Sequence, residues 1–210
     1  MKTEEIISKL EAEYPDAHCE LEYGTTYQLL VSVILSAQCT DKRVNIVTKD
    51  LFAVAPTVYD MVKLKPAELE KLIYSCGFYH SKAASILSAS LDIITRFGGE
   101  VPHTFDELIT LRGVGRKTAN VMMSVAFHEP AIAVDTHVFR LSHRLGLSDG
   151  KTPYDVEKDL DALLKPDEKT RMHHLLIFHG RYCCKSQSPA CWRCPVKEYC
   201  NYGEKNVQNT

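Results

Sequence analysis

Five of the eight cysteines of this chain, Cys183, Cys184, Cys191, Cys194 and Cys200, crowd into its tail. Four of them follow the spacing Cys184-x6-Cys191-x2-Cys194-x5-Cys200, which gathers four thiolates in a short stretch. Four sulfurs can close a tetrahedral zinc site, or hold the four irons of a cubane cluster, one each. Zinc sites usually join two close cysteine pairs from separate turns. Here one close pair is flanked by two wider steps, so the spacing favours a cluster over zinc. Cys183 is the spare, because its neighbour fits the spacing better. In a reducing compartment such a group more often holds a metal than forms disulfides. A cubane also raises the possibility of a redox carrier. The long helical remainder carries chemistry of its own, however, and a structural cluster that pins a loop is the better reading. That loop bears Lys185, Arg193 and Lys197, which can face phosphates.

A second concentration of chemistry lies at residues 111–121, LRGVGRKTANV. Gly113 and Gly115 permit a tight turn around Val114 and a close approach of backbone to ligand. Leu108, Ile109 and Leu111 end an apolar-faced helix before this turn, and a second helix is expected over 116–127, with Val121, Met122 and Val125 inward. Free amides at the start of the second helix suit a phosphate oxygen, which makes this a helix-hairpin-helix grip that reads no base sequence. The plain alternative is an αα-hairpin with no ligand. No strand precedes the turn and G-x-x-x-x-G-K-[ST] is absent, so it is not a nucleotide-binding P-loop. Lys117 stands in the first turn of the second helix. Arg116 and the positive end of the helix dipole beside it favour a neutral, nucleophilic amine over an ammonium. Eighteen residues on, Asp135 follows four apolar residues in AIAVDTHV (131–138). A carboxylate there is costly to bury without a role, although an N-cap is the plain reading. His137 lies two residues beyond it, able to stack or bond near DNA or to pack in the core. His173, His174 and His179 resemble a metal cluster, but His174 and His179 are five apart, on different helix faces, and suit packing or capping.

The elements that must position these groups read as helices almost throughout. Thr57 with Asp60, Thr104 with Glu107, and Thr152-Pro153 with Asp155 each place a cap before an acidic third residue. Pro66 suits a first turn, and Gly77 and Gly98-Gly99 suit helix ends. Residues 27–37, YQLLVSVILSA, are apolar on nearly every face and belong inside a bundle. The only strand candidates, VSVIL (31–35) and AIAV (131–134), are short, and the fold class is all-α. Residues 19–130 are expected to form one domain, with the hairpin at about 104–127. Residues 1–18 and 131–210 would form the second, although the first helix can pack on either lobe. Hydrophobic residues make up 45% and charged residues 25%, ordinary for a globular chain. No apolar run is long enough to span a bilayer, and the acidic start is no secretory signal, so a cytoplasmic location is expected. The net charge of −2 argues weakly against nucleic acid. Acid gathers before residue 23, however, and base recurs later at Arg112, Arg116, Lys117, Arg140, Arg144, Arg181, Lys185, Arg193 and Lys197, so charge alone decides nothing.

Five motifs, LSAQCTD (35–41), LRGVGRKTANV, VDTHVFRLSHR (134–144), HHLLIFHGRYCC (173–184) and the four-cysteine spacing, occur in the order found in endonuclease III. The chain resembles that family, of the helix-hairpin-helix glycosylase superfamily, from about residue 27 to 200. The resemblance implies a six-helix barrel domain and a cluster-bearing domain, with double-stranded DNA bound in the cleft between them. It implies a [4Fe–4S] cluster on Cys184, Cys191, Cys194 and Cys200, and the catalytic roles of Lys117 and Asp135. An oxidised pyrimidine would be flipped out of the duplex. Lys117 would displace the base at C1′ to form a Schiff base, and β-elimination would cut the strand 3′ to the abasic site. Gln38 aligns with the residue that fills the vacated gap, and Phe78 with an apolar wedge. Gly113, Gly115, Arg116, Thr118, His137, Arg140, Lys185 and Arg193 are the remaining DNA-binding candidates.

Three positions depart from the pattern. Arg112 replaces the usual hairpin proline, Cys39 a small residue, and Phe78 a leucine, which leaves opposite-base and lesion preference open. The rival readings are a monofunctional adenine-type glycosylase, which lacks the nucleophilic lysine, and a non-catalytic DNA-binding module, which has no need of Lys117 with Asp135. A monomer is expected, because no obvious association helix remains.

Overall fold

The computed structural model describes residues 2–202, and no strand occurs among them, as the all-α reading expects. The helices are α1 (Lys2–Glu13), α2 (Thr26–Ser36), α3 (Asp41–Val54), α4 (Val58–Met61), α5 (Pro66–Ile73), α6 (Tyr79–Phe97), α7 (Phe105–Leu108), α8 (Arg116–Val121), α9 (Thr136–Arg144), α10 (Pro153–Leu163) and α11 (Pro166–Tyr182). The expected caps form: Thr57, Thr104 and Thr152 each accept a hydrogen bond from the amide three residues on. Of the two strand candidates, 31–35 lies inside α2, and 131–134 is neither helix nor strand. The chain divides after Cys19 and after Glu129 into two compact units.

In the unit Glu20–Glu129, α2 is the central rod. Leu29, Leu30, Val31, Val33, Ile34 and Leu35 are all buried, so every face is covered, and α3, α6 and α8 pack around it. Its nearly uniform apolar sequence follows from that position. The hairpin reaches the same packing. α7 is a single turn that buries Leu108, and Leu111 follows it inward, whereas Ile109 is exposed, contrary to the even apolar face expected. Gly113 has φ +84°, and a Cβ there would lie 2.6 Å from Cβ of Ser85 on α6. Glycine is therefore required twice at that position, for its left-handed backbone and for contact with α6. Beyond α8 the helix widens into a π-helical segment, Met122–Ala126, closed by Phe127 N–H donating to the Met122 carbonyl at 3.2 Å. The wider turn shifts the inward face. Met122 and Ser124 are buried there, and Val125 is only half-buried, which corrects the inward face read from a regular helical period.

In the other unit, α9 packs on α10 and α11, and α1 also packs on α11. Ile6, Leu10, Val138, Leu141, Val156, Leu160, Leu175 and Leu176 form its core. The place α1 takes has a polar cause as well as an apolar one. The Arg171 guanidinium on α11 donates to the carbonyls of Ala17 at 2.8 Å and Tyr14 at 3.1 Å, fastening the chain that leaves α1. The extended stretch 131–134 runs through this core with Ile132, Ala133 and Val134 buried, and His173 donates from Nδ1 to the Ala133 carbonyl at 2.9 Å. That stretch delivers Asp135 to the start of α9.

Gly113→Ala is expected to destabilise the protein by about 2–4 kcal/mol, the sum of a left-handed alanine and an overpacked contact. Gly115→Ala is expected to cost no more than about 1 kcal/mol, since its backbone is extended and a Cβ there meets nothing within 4 Å. Urea unfolding of both variants checks this. Equal midpoints would show that the Ser85 contact does not hold the turn.

Candidate active site and cluster site

The tail wraps a small pocket lined by Cys184, Cys191, Cys194 and Cys200, together with Cys183, Ala190 and Tyr202. Two 3-10 turns, Cys191–Arg193 and Lys197–Tyr199, bend the chain around it. Cys184 Sγ accepts from Arg144 Nη1 at 3.2 Å and Cys200 Sγ from the Tyr202 amide at 3.4 Å, and Cys194 Sγ is hydrogen-bonded with His179 Nε2 at 3.4 Å. Donors aimed at thiolate sulfurs suit an anionic four-thiolate cluster, whose potential they help set. The donor set thus fits the group that its spacing implied. Cys183 is 2% exposed and its thiol faces the Ala190 carbonyl at 3.6 Å, consistent with a spare cysteine. His179 Nε2 and the Cys183 and Cys194 sulfurs also lie within 4.8 Å of one another. The Tyr14 hydroxyl is hydrogen-bonded with the other nitrogen of that imidazole at 3.1 Å, which helps hold the ring toward Cys194. The contact of His179 with a ligand sulfur is not visible in the sequence, where the histidine suits packing.

Asp135 is the N-cap of α9, and its Oδ1 accepts from the amides of His137 and Val138, both at 2.8 Å. The plain reading of this residue is therefore correct as geometry. It also leaves chemistry available, since the two cap bonds engage only one oxygen of a half-buried carboxylate. His137 Nδ1 accepts from Arg140 Nη2 at 3.2 Å, and a Cβ on Gly180 of α11 would come within 2.8 Å of that nitrogen. Burial holds this imidazole below the usual histidine range. The Arg140 guanidinium donates to the carbonyls of Gly180 at 3.0 Å and Cys184 at 2.9 Å. Its fork thus joins α9 to α11 and the first cysteine. Arg193 similarly donates to the Tyr182 carbonyl and stands 3.9 Å from a Glu13 oxygen. Lys185 is exposed, and its carbonyl accepts from Arg144 Nη1 at 2.9 Å.

In the other unit, Lys117 and Arg116 are exposed on the first turn of α8, and Thr118 is half-buried. Arg116 lies over the Phe105 ring at 4.7 Å, bracing the two arms of the hairpin. Gln38, Phe78 and Gly113 come from three separate segments and line one open cavity with Ile34, Ser81, Lys82 and Ser85. Gln38 is exposed and Phe78 is 67% exposed, unusual for so large an apolar ring. Sequence reasoning named Arg144 only as one of a basic series, and passed over Lys82. Arg144 fastens the cysteine loop, and Lys82 is a buried lysine on the cavity wall.

Residues 31–166 match the family described as HhH-GPD superfamily base excision DNA repair protein, and residues 184–200 match the iron-sulfur binding domain of endonuclease III. The chain is 48% identical over 200 residues to endonuclease III of Bacillus subtilis (strain 168), covering 95% of this chain and 91% of that one. Among solved structures, a non-covalent endonuclease III–DNA complex matches with a TM-score of 0.95 and 45% identity, over 100% of this chain and 99% of the other. A trapped endonuclease III–DNA covalent intermediate matches with a TM-score of 0.93 and 46% identity, over 98% of each chain. With its hairpin, its four-cysteine pocket and these likenesses along nearly its whole length, the chain belongs to the endonuclease III family of base-excision repair enzymes, DNA glycosylases and AP lyases that carry a [4Fe–4S] cluster.

Proposed function

We propose that this enzyme removes oxidised pyrimidines from duplex DNA, acting as a cytoplasmic monomer (at the nucleoid in a prokaryotic cell), with Lys117 as nucleophile and Asp135 as its acid–base partner. The observation that carries the reading is an exposed amine in the first turn of α8, in a chain 46% identical to an endonuclease III trapped covalently on DNA. The Lys117 amine attacks C1′ of the flipped nucleotide, and the base leaves with the C1′–N bond pair. Ring opening gives an imine between Nζ and C1′. The imine acidifies C2′; the proton lost there leaves its electron pair as a C=C bond, and the 3′ phosphate departs with the C3′–O pair. Asp135, oriented by its cap, takes the proton that Lys117 must lose and stabilises positive charge on the sugar. Glycine at 115 leaves open space before the hairpin amides, room for a phosphate oxygen. Gln38 and Phe78, exposed beside one cavity, fill the gap and wedge the opposite strand. Cys184, Cys191, Cys194 and Cys200 would hold the cluster, which supplies a rigid centre for the loop carrying Lys185, Arg193 and Lys197.

The cap geometry separates the chemical role of Asp135 from its structural one. Asn caps a helix about as well as Asp, so Asp135→Asn is expected to unfold within about 0.5 kcal/mol of wild type, whereas Asp135→Ala loses about 1 kcal/mol. Single-turnover base release from a duplex with one oxidised pyrimidine is expected to fall about 10²–10⁴-fold in Asp135→Asn. Base release and strand cleavage together are expected to be lost in Lys117→Ala. Full activity in either Asp135→Asn or Lys117→Ala overturns the assignment.

The cysteine assignment makes a separate prediction. Cys184→Ala is expected to lose the yellow-brown colour and bound iron, and Cys183→Ala to keep both. Iron analysis of the purified variants checks it, and iron loss in Cys183→Ala alone would exchange the two roles.

A further inference from the structure

Lys82, on α6, is 6% exposed. A lysine near a nucleic-acid surface is first read as a phosphate contact, but this one faces inward. Its Nζ donates to the carbonyl of Leu35 and to the carbonyl of Cys76, each at 2.8 Å. Leu35 lies in the last turn of α2, and Cys76 ends the 3-10 turn Tyr74–Cys76. Carbonyls at such ends have no partner within their own helix, and a cation is a favourable one. A single ammonium therefore closes two chain ends that are far apart in sequence.

Both ends lead into a residue with the same backbone peculiarity. Three positions beyond Leu35 stands Gln38, with φ 53°, and two beyond Cys76 stands Phe78, with φ 47°. Left-handed backbone is unfavourable for both side chains, and such conformations persist only where the surroundings over-determine them. Both residues project from the rim of the cavity whose wall includes Lys82. Burial disfavours the charged form of this amine, and the two carbonyls it donates to are the partners that hold it. Burial also pushes the Cys76 thiol up to about 12, so it is held as a neutral thiol.

We infer that Lys82 is a positioning residue for the repair reaction: its buried ammonium fastens the end of α2 to the 74–76 turn and so sets the spacing at which Gln38 and Phe78 enter the duplex. The inference rests on the proposed gap-filling and wedge roles of those two residues. A misplacement of about 1 Å in such a constellation can cost about 100-fold in rate.

The test uses Lys82→Met, similar in reach but without donors, and Lys82→Arg, which keeps them, in the intact cluster-loaded enzyme. Each is compared with wild type on an oxidised-pyrimidine duplex and on a single-stranded abasic oligonucleotide, which has no stacked helix to enter. Lys82→Met is expected to lose about 30–100-fold on the duplex and only a few-fold on the single strand, with Lys82→Arg recovering most of the duplex rate. In a Gln38→Ala/Phe78→Ala background, adding Lys82→Met is expected to cause little further loss, because coupled residues are not additive. Wild-type duplex rates in Lys82→Met, equal losses on both substrates, or a full additive loss would overturn the clamp. An unimpaired Gln38→Ala/Phe78→Ala enzyme would instead overturn the roles given to those side chains. If Lys82→Met does not fold, Lys82→Gln, with a shorter donor, takes its place under the same criteria.

Discussion

Two amides, of His137 and Val138, converge on one oxygen of Asp135, and the active-site half of the cluster-bearing unit is arranged around that cap. A carboxylate that caps a helix cannot rotate freely, so its remaining lone pairs keep one direction. The cap in turn starts α9, from which Arg140 and Arg144 reach the cysteine loop. Arg140 takes the carbonyls at the end of α11, and Arg144 takes the Lys185 and Ser186 carbonyls and the Cys184 sulfur. The carboxylate proposed as acid–base group and the cysteine loop are thus fastened to the same short helix. A cluster held by that loop would sit at the far end of the bonds that hold α9.

In the unit with Lys117, the hairpin turn itself is positioned by sterics. Gly113 seats the hairpin turn against Ser85 where no other residue fits, and α8 begins from that fixed point. The amine then stands one residue into a helix whose next turns are buried against α2. Gly115, two residues before it, has the opposite function, since it leaves space unfilled. The two glycines of one motif therefore divide the work, one packing against protein and the other leaving room for ligand.

Much of this was legible in the sequence because it is local. Threonine caps, the apolar α2, the hairpin glycines and the cysteine spacing each act within a few residues, and each took the expected form. What the sequence leaves out comes mostly from long-range partners. Arg140 and Arg193 are DNA-binding candidates by sequence, and their guanidinium groups also meet carbonyls 44 and 11 residues away. Lys82 sits in an amphipathic helix where a lysine reads as a solvated charge, and only a carbonyl 47 residues distant reveals otherwise. The inward face at 122–126 was misread for a local reason, because a regular period assigns Val125 inward and the widened turn buries Ser124. Asp135 was legible as a helix cap, and the cap forms.

The proposed chemistry turns on one amine, on the first turn of the hairpin helix, forming a bond to deoxyribose. Borohydride reduction of the enzyme on an abasic duplex, followed by peptide mapping of the cross-linked product, tests it most directly. The predicted result is a covalent adduct mapped to the ε-nitrogen of Lys117. An adduct that survives in Lys117→Ala at undiminished yield, or that maps to another residue, would contradict it.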